Sequence, residues 1–180
     1  MDIKKIGVIG AGTMGNGIAQ VCAAGGFAVV MTDIDDASVK RGIAAVAKNL
    51  DRLVAKQKLS AEEKTAILGR IDTANALDAV ANCDLVIEAI SERMDWKSDL
   101  YRKVAPYLSE HAIFASNTSG LSINTLAQAF PEKLRHRFCG VHFFNPPRYM
   151  HLVELIACKE TNPAILDNLE KFLVTTLGKG

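Results

Sequence analysis

Ile6-Gly7-Val8-Ile9-Gly10-Ala11-Gly12-Thr13-Met14-Gly15 decides the reading of this chain. An apolar run leads straight into a glycine turn, and the helical pattern that follows over 13–25 is stopped by Gly25-Gly26. A second apolar run, Ala28-Val29-Val30-Met31-Thr32, closes on Asp33. Strand, glycine turn, helix and a second strand ending in an acid make a dinucleotide-binding fingerprint. Gly10 permits the tight turn, Gly12 leaves no Cβ where backbone must approach a pyrophosphate, and Gly15 lets the helix lie close on the sheet. Thr13 and Met14 open that helix, whose free N–H groups and dipole favour phosphate. Asp33 can accept hydrogen bonds from the adenosine ribose hydroxyls and repels a 2′-phosphate. The next residues, Ile34, Asp35 and Asp36, bring no arginine to rescue one. The expected cofactor is NAD, not NADP.

With 180 residues, 49% of them hydrophobic, the chain can bury the core of one domain plus a small appendage. A net charge of +1 and 6% aromatic residues give no footprint for a nucleic-acid or membrane partner. Cys22, Cys83, Cys139 and Cys158 lie far apart, form no C-x-x-C pair, and sit mostly in or beside apolar runs. They read as reduced, buried thiols in a cytosol-like compartment, and no metal site is expected. No apolar stretch approaches a membrane span, and the chain opens directly into a strand with no signal peptide, so the expected location is cytoplasmic.

Outward from the fingerprint, strands are expected at 3–9 and 28–33. Val39, Ile43, Val46, Leu50, Leu53 and Val54 recur at helical spacing, predicting one long amphipathic helix over 37–58. Ser60-Ala61-Glu62-Glu63 is a capping box that starts a second helix running to about 69. This pair is either a plain surface insertion or an arm reaching toward a substrate. Further strands are expected at 71–74, 84–89, 113–116, 138–142 and 152–157. Further helices are expected at 77–80, at 94–108 (carrying the one tryptophan, Trp96), at 122–129 before Pro131, and at 163–177. The alternation predicts an α/β fold: a Rossmann-type, doubly wound, mostly parallel sheet with an added antiparallel strand pair and a helical-hairpin arm over 36–70. Ligands of such sheets bind outside the carboxyl ends of the strands, which brings Glu88–Glu92 and the turn Asn117-Thr118-Ser119-Gly120 into the candidate site.

Oxidation of an alcohol by a nicotinamide needs a group that takes the hydroxyl proton as hydride leaves, and histidine suits that task. His111, His136, His142 and His151 are the candidates. His142 stands out because it ends a strand, and Glu154 follows twelve residues later in the next strand. If the two strands pair antiparallel, the carboxylate faces the imidazole, orients it and stabilises its cation. The competing reading pairs Glu154 with Arg148 at the surface.

His142-Phe143-Phe144-Asn145-Pro146 followed by Leu152-Val153-Glu154 resembles the signature of the L-3-hydroxyacyl-CoA dehydrogenase family. The glycine turn continued through Asn16-Gly17-Ile18-Ala19, Val86-Ile87-Glu88-Ala89 and Ser116-Asn117-Thr118-Ser119 extend the likeness over essentially the whole chain. The resemblance implies NAD-dependent oxidation of an L-3-hydroxyacyl-CoA to the 3-ketoacyl-CoA, or the reverse. It implies His142 as general base, Glu154 as its orienting partner, and Ser119 and Asn145 beside the nicotinamide and the reacting oxygen. Glu92 and Lys97 match positions contacting the NAD ribose or phosphate, with Ile90 and Ser91 lining the same turn. Asn49 and Lys56 on the arm match positions that contact coenzyme A, although a serine is usual where Asn49 stands.

Gly120 replaces a second serine common in the family, and Pro146-Pro147-Arg148-Tyr149-Met150 looks more like multifunctional or long-chain relatives than short-chain ones. Family members continue into a helical domain that closes the acyl pocket and makes a homodimer. The expectation is therefore a single NAD-binding domain over 1–180, with that C-terminal domain absent from this chain. Two rival readings stand beside this one: a module that holds NAD without catalysis, and a dehydrogenase of a 3-hydroxyacid lacking coenzyme A.

Overall fold

The computed structural model describes residues 2–180. Seven strands form one sheet in the order β3-β2-β1-β4-β5-β6-β7. They are β1 (Lys5–Ile9), β2 (Ala28–Thr32), β3 (Ile71–Ala74), β4 (Leu85–Glu88), β5 (Ile113–Ser116), β6 (Phe138–Phe143) and β7 (Val153–Ala157). The first five neighbouring pairs in that order are parallel, and β6 with β7 is the antiparallel pair expected from the sequence.

Alternation along the strands sends side chains to two faces, each covered by helices. Val8, Met31, Ile87, Ala115 and Val141 face α1 (Thr13–Ala24), α2 (Asp36–Ala55), α3 (Ala61–Gly69) and α7 (Pro163–Lys171). Ile9, Val30, Val86, Phe114 and Phe138 face α4 (Met94–Val104) and α5 (Ile123–Ala127). There Tyr101, Phe114, Phe130 and Phe138 form a cluster with ring centroids 4.8–6.3 Å apart. The order runs one way from β1 to β2 and the other way from β1 to β4, leaving a crevice above their carboxyl ends.

Several boundaries move, for local reasons. The helix expected over 94–108 ends at Val104 and tightens to a 3₁₀ turn over Ala105–Tyr107, because Pro106 has no N–H to donate and its ring crowds the carbonyl four residues back. The segment 122–129 is helical only over Ile123–Ala127, capped by Ser122, and Pro131 opens a separate short helix, α6 (Glu132–Arg135). The last helix is regular to Lys171 and widens to a π turn over Phe172–Thr176, where Phe172 meets Phe27 edge-on at 5.1 Å. Ser60 and Glu63 form the expected reciprocal cap at the start of α3.

All four cysteines are free and buried. Burial pushes the Cys22 and Cys139 thiols up to about 12 and Cys83 to about 11, which keeps them from acting as thiolates at neutral pH. Among the described residues, no helix is long and apolar enough to cross a membrane.

Candidate active site

The glycine turn is shaped as its spacing implies. Gly10 adopts φ +106°, open to glycine at little cost, and its N–H donates to Thr32 O at 2.8 Å. A Cβ on Gly15 would lie 1.7 Å from Gly10 O, so α1 packs against the turn only because that atom is missing. A Cβ on Gly12 would meet nothing within 4 Å, and its space belongs to the mouth of the turn. No side chain caps α1 and no acid sits in its first turn, so its N-terminus presents bare amides. Asp33 is braced over this mouth, accepting Ala11 N–H and Ile34 N–H at 2.7 Å each.

A cleft of about 780 Å³ opens here, lined by Gly10, Gly12 and Asp33 on one side and by Ile90, Ser91 and Trp96 on the other. Its bare helix terminus, its two glycines and Asp33 fit a dinucleotide diphosphate and the adjoining ribose.

Beneath the cleft floor lies a buried knot. Glu88, at the carboxyl end of β4, is 0% exposed and all its acceptor directions are used. One carboxylate oxygen accepts Lys97 Nζ at 2.5 Å and Ile90 N–H at 2.8 Å. The other accepts the Tyr101 hydroxyl at 2.6 Å and the Ser116 hydroxyl at 2.8 Å. Burial first, and the Glu88 charge second, hold the Tyr101 phenol well above its ordinary value, so it remains a donor. Lys97 is 1% exposed and also donates to Ile90 O at 3.2 Å. The cofactor contact that the resemblance implies for Lys97 is thus replaced here by a buried pairing under the turn.

Lys97 links the knot to Glu92, whose second carboxylate oxygen is 3.6 Å away. The first oxygen of Glu92 gathers three donors: the Thr118 hydroxyl at 2.6 Å, Ser119 N–H at 2.9 Å and Gly120 N–H at 3.0 Å. Burial would raise this carboxyl, but the hydrogen bonds from Thr118, Gly120 and Ser119 and the charge of Lys97 outweigh it and hold the group below its ordinary value. Glu92 therefore fixes the backbone that carries the exposed Ser119.

His142 and Glu154 are direct partners in the β6–β7 ladder, and His142 Nδ1 lies 2.8 Å from a Glu154 oxygen. Arg148 is stacked over the Tyr149 ring at 4.7 Å, so the competing surface pair with Glu154 is not the one formed. The His142 ring packs against Phe144 at 4.5 Å and remains partly open. Asn117 Oδ1 accepts Phe143 N–H at 2.8 Å, joining the end of β6 to the turn bearing Ser119. Asn145 is exposed on the following loop, and Lys179 Nζ clasps that loop through Pro147 O at 2.6 Å and Met150 O at 2.8 Å. His111 and His136 line a different cleft at the amino ends of β5 and β6, and His151 Nδ1 lies 3.1 Å from Gly178 O.

The arm packs its base on α1 through Val46 and Leu50, while its tip is exposed. Asn49 is half-buried, with its amide 3.4 Å from Gln20 Oε1. Lys56 caps α2 at the tip. The Tyr149 phenol is lowered, chiefly by its hydrogen bond to Arg148 and the Arg148 charge, with Lys56 and Lys58 adding to it. Tyr101 and Lys58 carry no motif signal, whereas Ser116, Thr118 and Arg148 lie in stretches the sequence marks without showing their partners.

The strand-order reversal, the bare helix terminus and the acid at the end of β2 define a dinucleotide-binding domain. Residues 5–180 match the family described as 3-hydroxyacyl-CoA dehydrogenase, NAD binding domain, and the chain belongs to that family. It is 45% identical over 177 residues to a 3-hydroxybutyryl-CoA dehydrogenase of Bradyrhizobium diazoefficiens, covering 98% of this chain and 59% of that protein. It is 41% identical to a putative fatty acid oxidation complex trifunctional enzyme of Rickettsia prowazekii, covering 99% of this chain and 25% of that one. The crystal structure of (S)-3-hydroxybutyryl-CoA dehydrogenase from Ralstonia eutropha superposes with a TM-score of 0.94 at 44% identity, covering 99% of this chain and 62% of that chain. The chain therefore spans less than two thirds of these relatives. Its cofactor is NAD.

Proposed function

We propose that this chain is the NAD-binding and acid–base half of an enzyme that oxidises L-3-hydroxyacyl-CoA to 3-ketoacyl-CoA, or runs the reverse. The observation that carries the reading is the His142–Glu154 pair, at the carboxyl end of the same sheet whose first crossover carries the glycine turn. With Glu154 accepting from Nδ1, the Nε2 lone pair is the one left to take a proton. NAD supplies a hydride acceptor when bound. His142 takes the hydroxyl proton as the C3 hydrogen departs with its electron pair, leaving a C=O bond. Glu154 stabilises the resulting imidazolium. Ser119 and Asn145 hold the reacting oxygen, and Glu92 fixes the backbone of Ser119.

The exposed cations Lys56 and Lys58 at the tip of the arm support a coenzyme A thioester over a free acid, because phosphate groups call for cations and a short hydroxyacid needs no such arm. Asn49 and Lys56 are read as arm contacts to coenzyme A. Closure of the acyl pocket and a homodimer contact are assigned to the remaining length of such relatives, and a cytoplasmic setting rests on the unpaired buried thiols.

The test follows NADH formation from L-3-hydroxybutyryl-CoA by the full-length protein. His142→Gln is expected to lower turnover by about 10²–10⁴-fold while leaving NAD affinity unchanged. Near-normal turnover of that variant overturns the assignment of the base. Equal binding of acetoacetate and acetoacetyl-CoA overturns the thioester.

A further inference from the structure

We propose that Asn117 is the positioning residue for His142, holding it in fixed register with the turn that carries Ser119. The inference rests on the acid–base reading above and adds a residue that acts on the reaction through His142.

The need for such a residue arises where the strands end. β5 stops at Ser116, opposite Gly140, while β6 runs on to Phe143. Over that extension β6 keeps its ladder with β7, as far as Phe143 opposite Val153, and has outrun β5 on its other side. Phe143 is 1% exposed, and a buried N–H left without an acceptor is costly. Asn117 supplies the acceptor, its Oδ1 taking Phe143 N–H at 2.8 Å. One side chain thus does for the end of β6 what a longer β5 would have done.

The two ends of this bond give it a further consequence. Phe143 directly follows His142, and Asn117 stands two residues before Ser119. Asn117 is buried, and its own N–H donates to Glu88 O at 2.8 Å, so the anchor has little room to shift. Glu154 grips the His142 ring, but that carboxylate is half-exposed and acts on the imidazole alone. A bond to the ring sets its rotation, whereas a bond to the neighbouring amide sets where the ring stands. Glu92 in turn fixes Ser119 toward α4, and the Asn117 bond ties the same turn to β6.

A base and a hydroxyl that share one reacting oxygen must both lie within hydrogen-bond reach of it, and a displacement of about 1 Å can cost about a hundredfold in rate. The competing account is that Asn117 merely satisfies a buried amide and contributes stability alone. The two accounts part in a double-mutant cycle.

Asn117→Leu, Asn117→Ala and Asn117→Asp are made in the full-length protein, each in the wild-type and the His142→Gln backgrounds. Turnover of L-3-hydroxybutyryl-CoA, NAD affinity and melting temperature are measured for all. Leucine fills the same volume and accepts nothing, alanine repeats the loss with less bulk, and aspartate keeps an oxygen at the reach of Oδ1. In the wild-type background kcat is expected to fall about ten- to a hundredfold for leucine and alanine with NAD affinity unchanged, and aspartate is expected to recover most of it. In the His142→Gln background the same replacements are expected to cost less than about twofold more, because a residue acting through the base has nothing left to act on. An equal further loss in that background overturns the proposal, as does wild-type kcat in Asn117→Leu or Asn117→Ala. Failure of both variants to fold also decides for the stability account. Near-normal turnover of His142→Gln by itself defeats the acid–base reading instead, and it is read from a different variant.

Discussion

Glu92 and Ser119 come from different crossovers, yet the Ser119 N–H donates to a Glu92 carboxylate oxygen at 2.9 Å. The same oxygen accepts from Thr118 and Gly120. A depressed carboxyl contributes stability above its ordinary value of 4.5, and loses it as pH falls through the folded-state value. The difference in melting temperature between wild type and Glu92→Gln is therefore expected to be constant near neutrality and to shrink below that ordinary value. Melting curves across an acid series check this, and a difference indifferent to pH contradicts it.

Gly12 and Gly15 are expected to fail in opposite ways. Gly15→Ala drives a methyl group into Gly10 O and should cost about 1–3 kcal/mol or more of folding stability. Gly12→Ala meets nothing in the protein, so its melting temperature should match wild type. Its methyl instead occupies the diphosphate's approach, and a clash of only about 1.4 kcal/mol weakens NAD tenfold. Melting and calorimetry on both variants separate the two effects.

Asp33 should enforce NAD over NADP. Setting a 2′-phosphate against its carboxylate costs several kcal/mol, so the affinity ratio should be about a hundredfold or more. Asp33→Ser should narrow it. Matching affinities of wild type for the two dinucleotides would contradict the assignment.

The knot around Glu88 should be costly to break from one side. Lys97→Met leaves a carboxylate buried without its cation, which typically costs about 3–5 kcal/mol. Tyr101→Phe keeps the ring in its aromatic cluster and removes one of two donors to that oxygen, costing about 1–2 kcal/mol. Urea unfolding of the two variants reads both, and equal costs would mean that the charge of Lys97 is unimportant.

How much of this was legible beforehand depends on how local each signal is. The glycine turn and Asp33 are read from spacing because one crossover contains them both. The pairing of His142 with Glu154 follows from period-two alternation across a short connection. The helix end at Val104 was also within reach, since Pro106 forbids the regular continuation expected there. Lys97 was not, because a lysine on an amphipathic helix reads as a solvated or ligand-facing cation. Only the tertiary packing of α4 against β4 shows that Glu88 waits beneath it.

The one antiparallel pairing places His142 and Glu154 on adjoining strands of a single hairpin. That hairpin stands at one margin of the sheet, while the fingerprint occupies the other half. In such a layout a substitution near β2 stands several strands away from the His142–Glu154 pair. A change around β7 is likewise remote from the glycine turn, with β4 and β5 standing between the two.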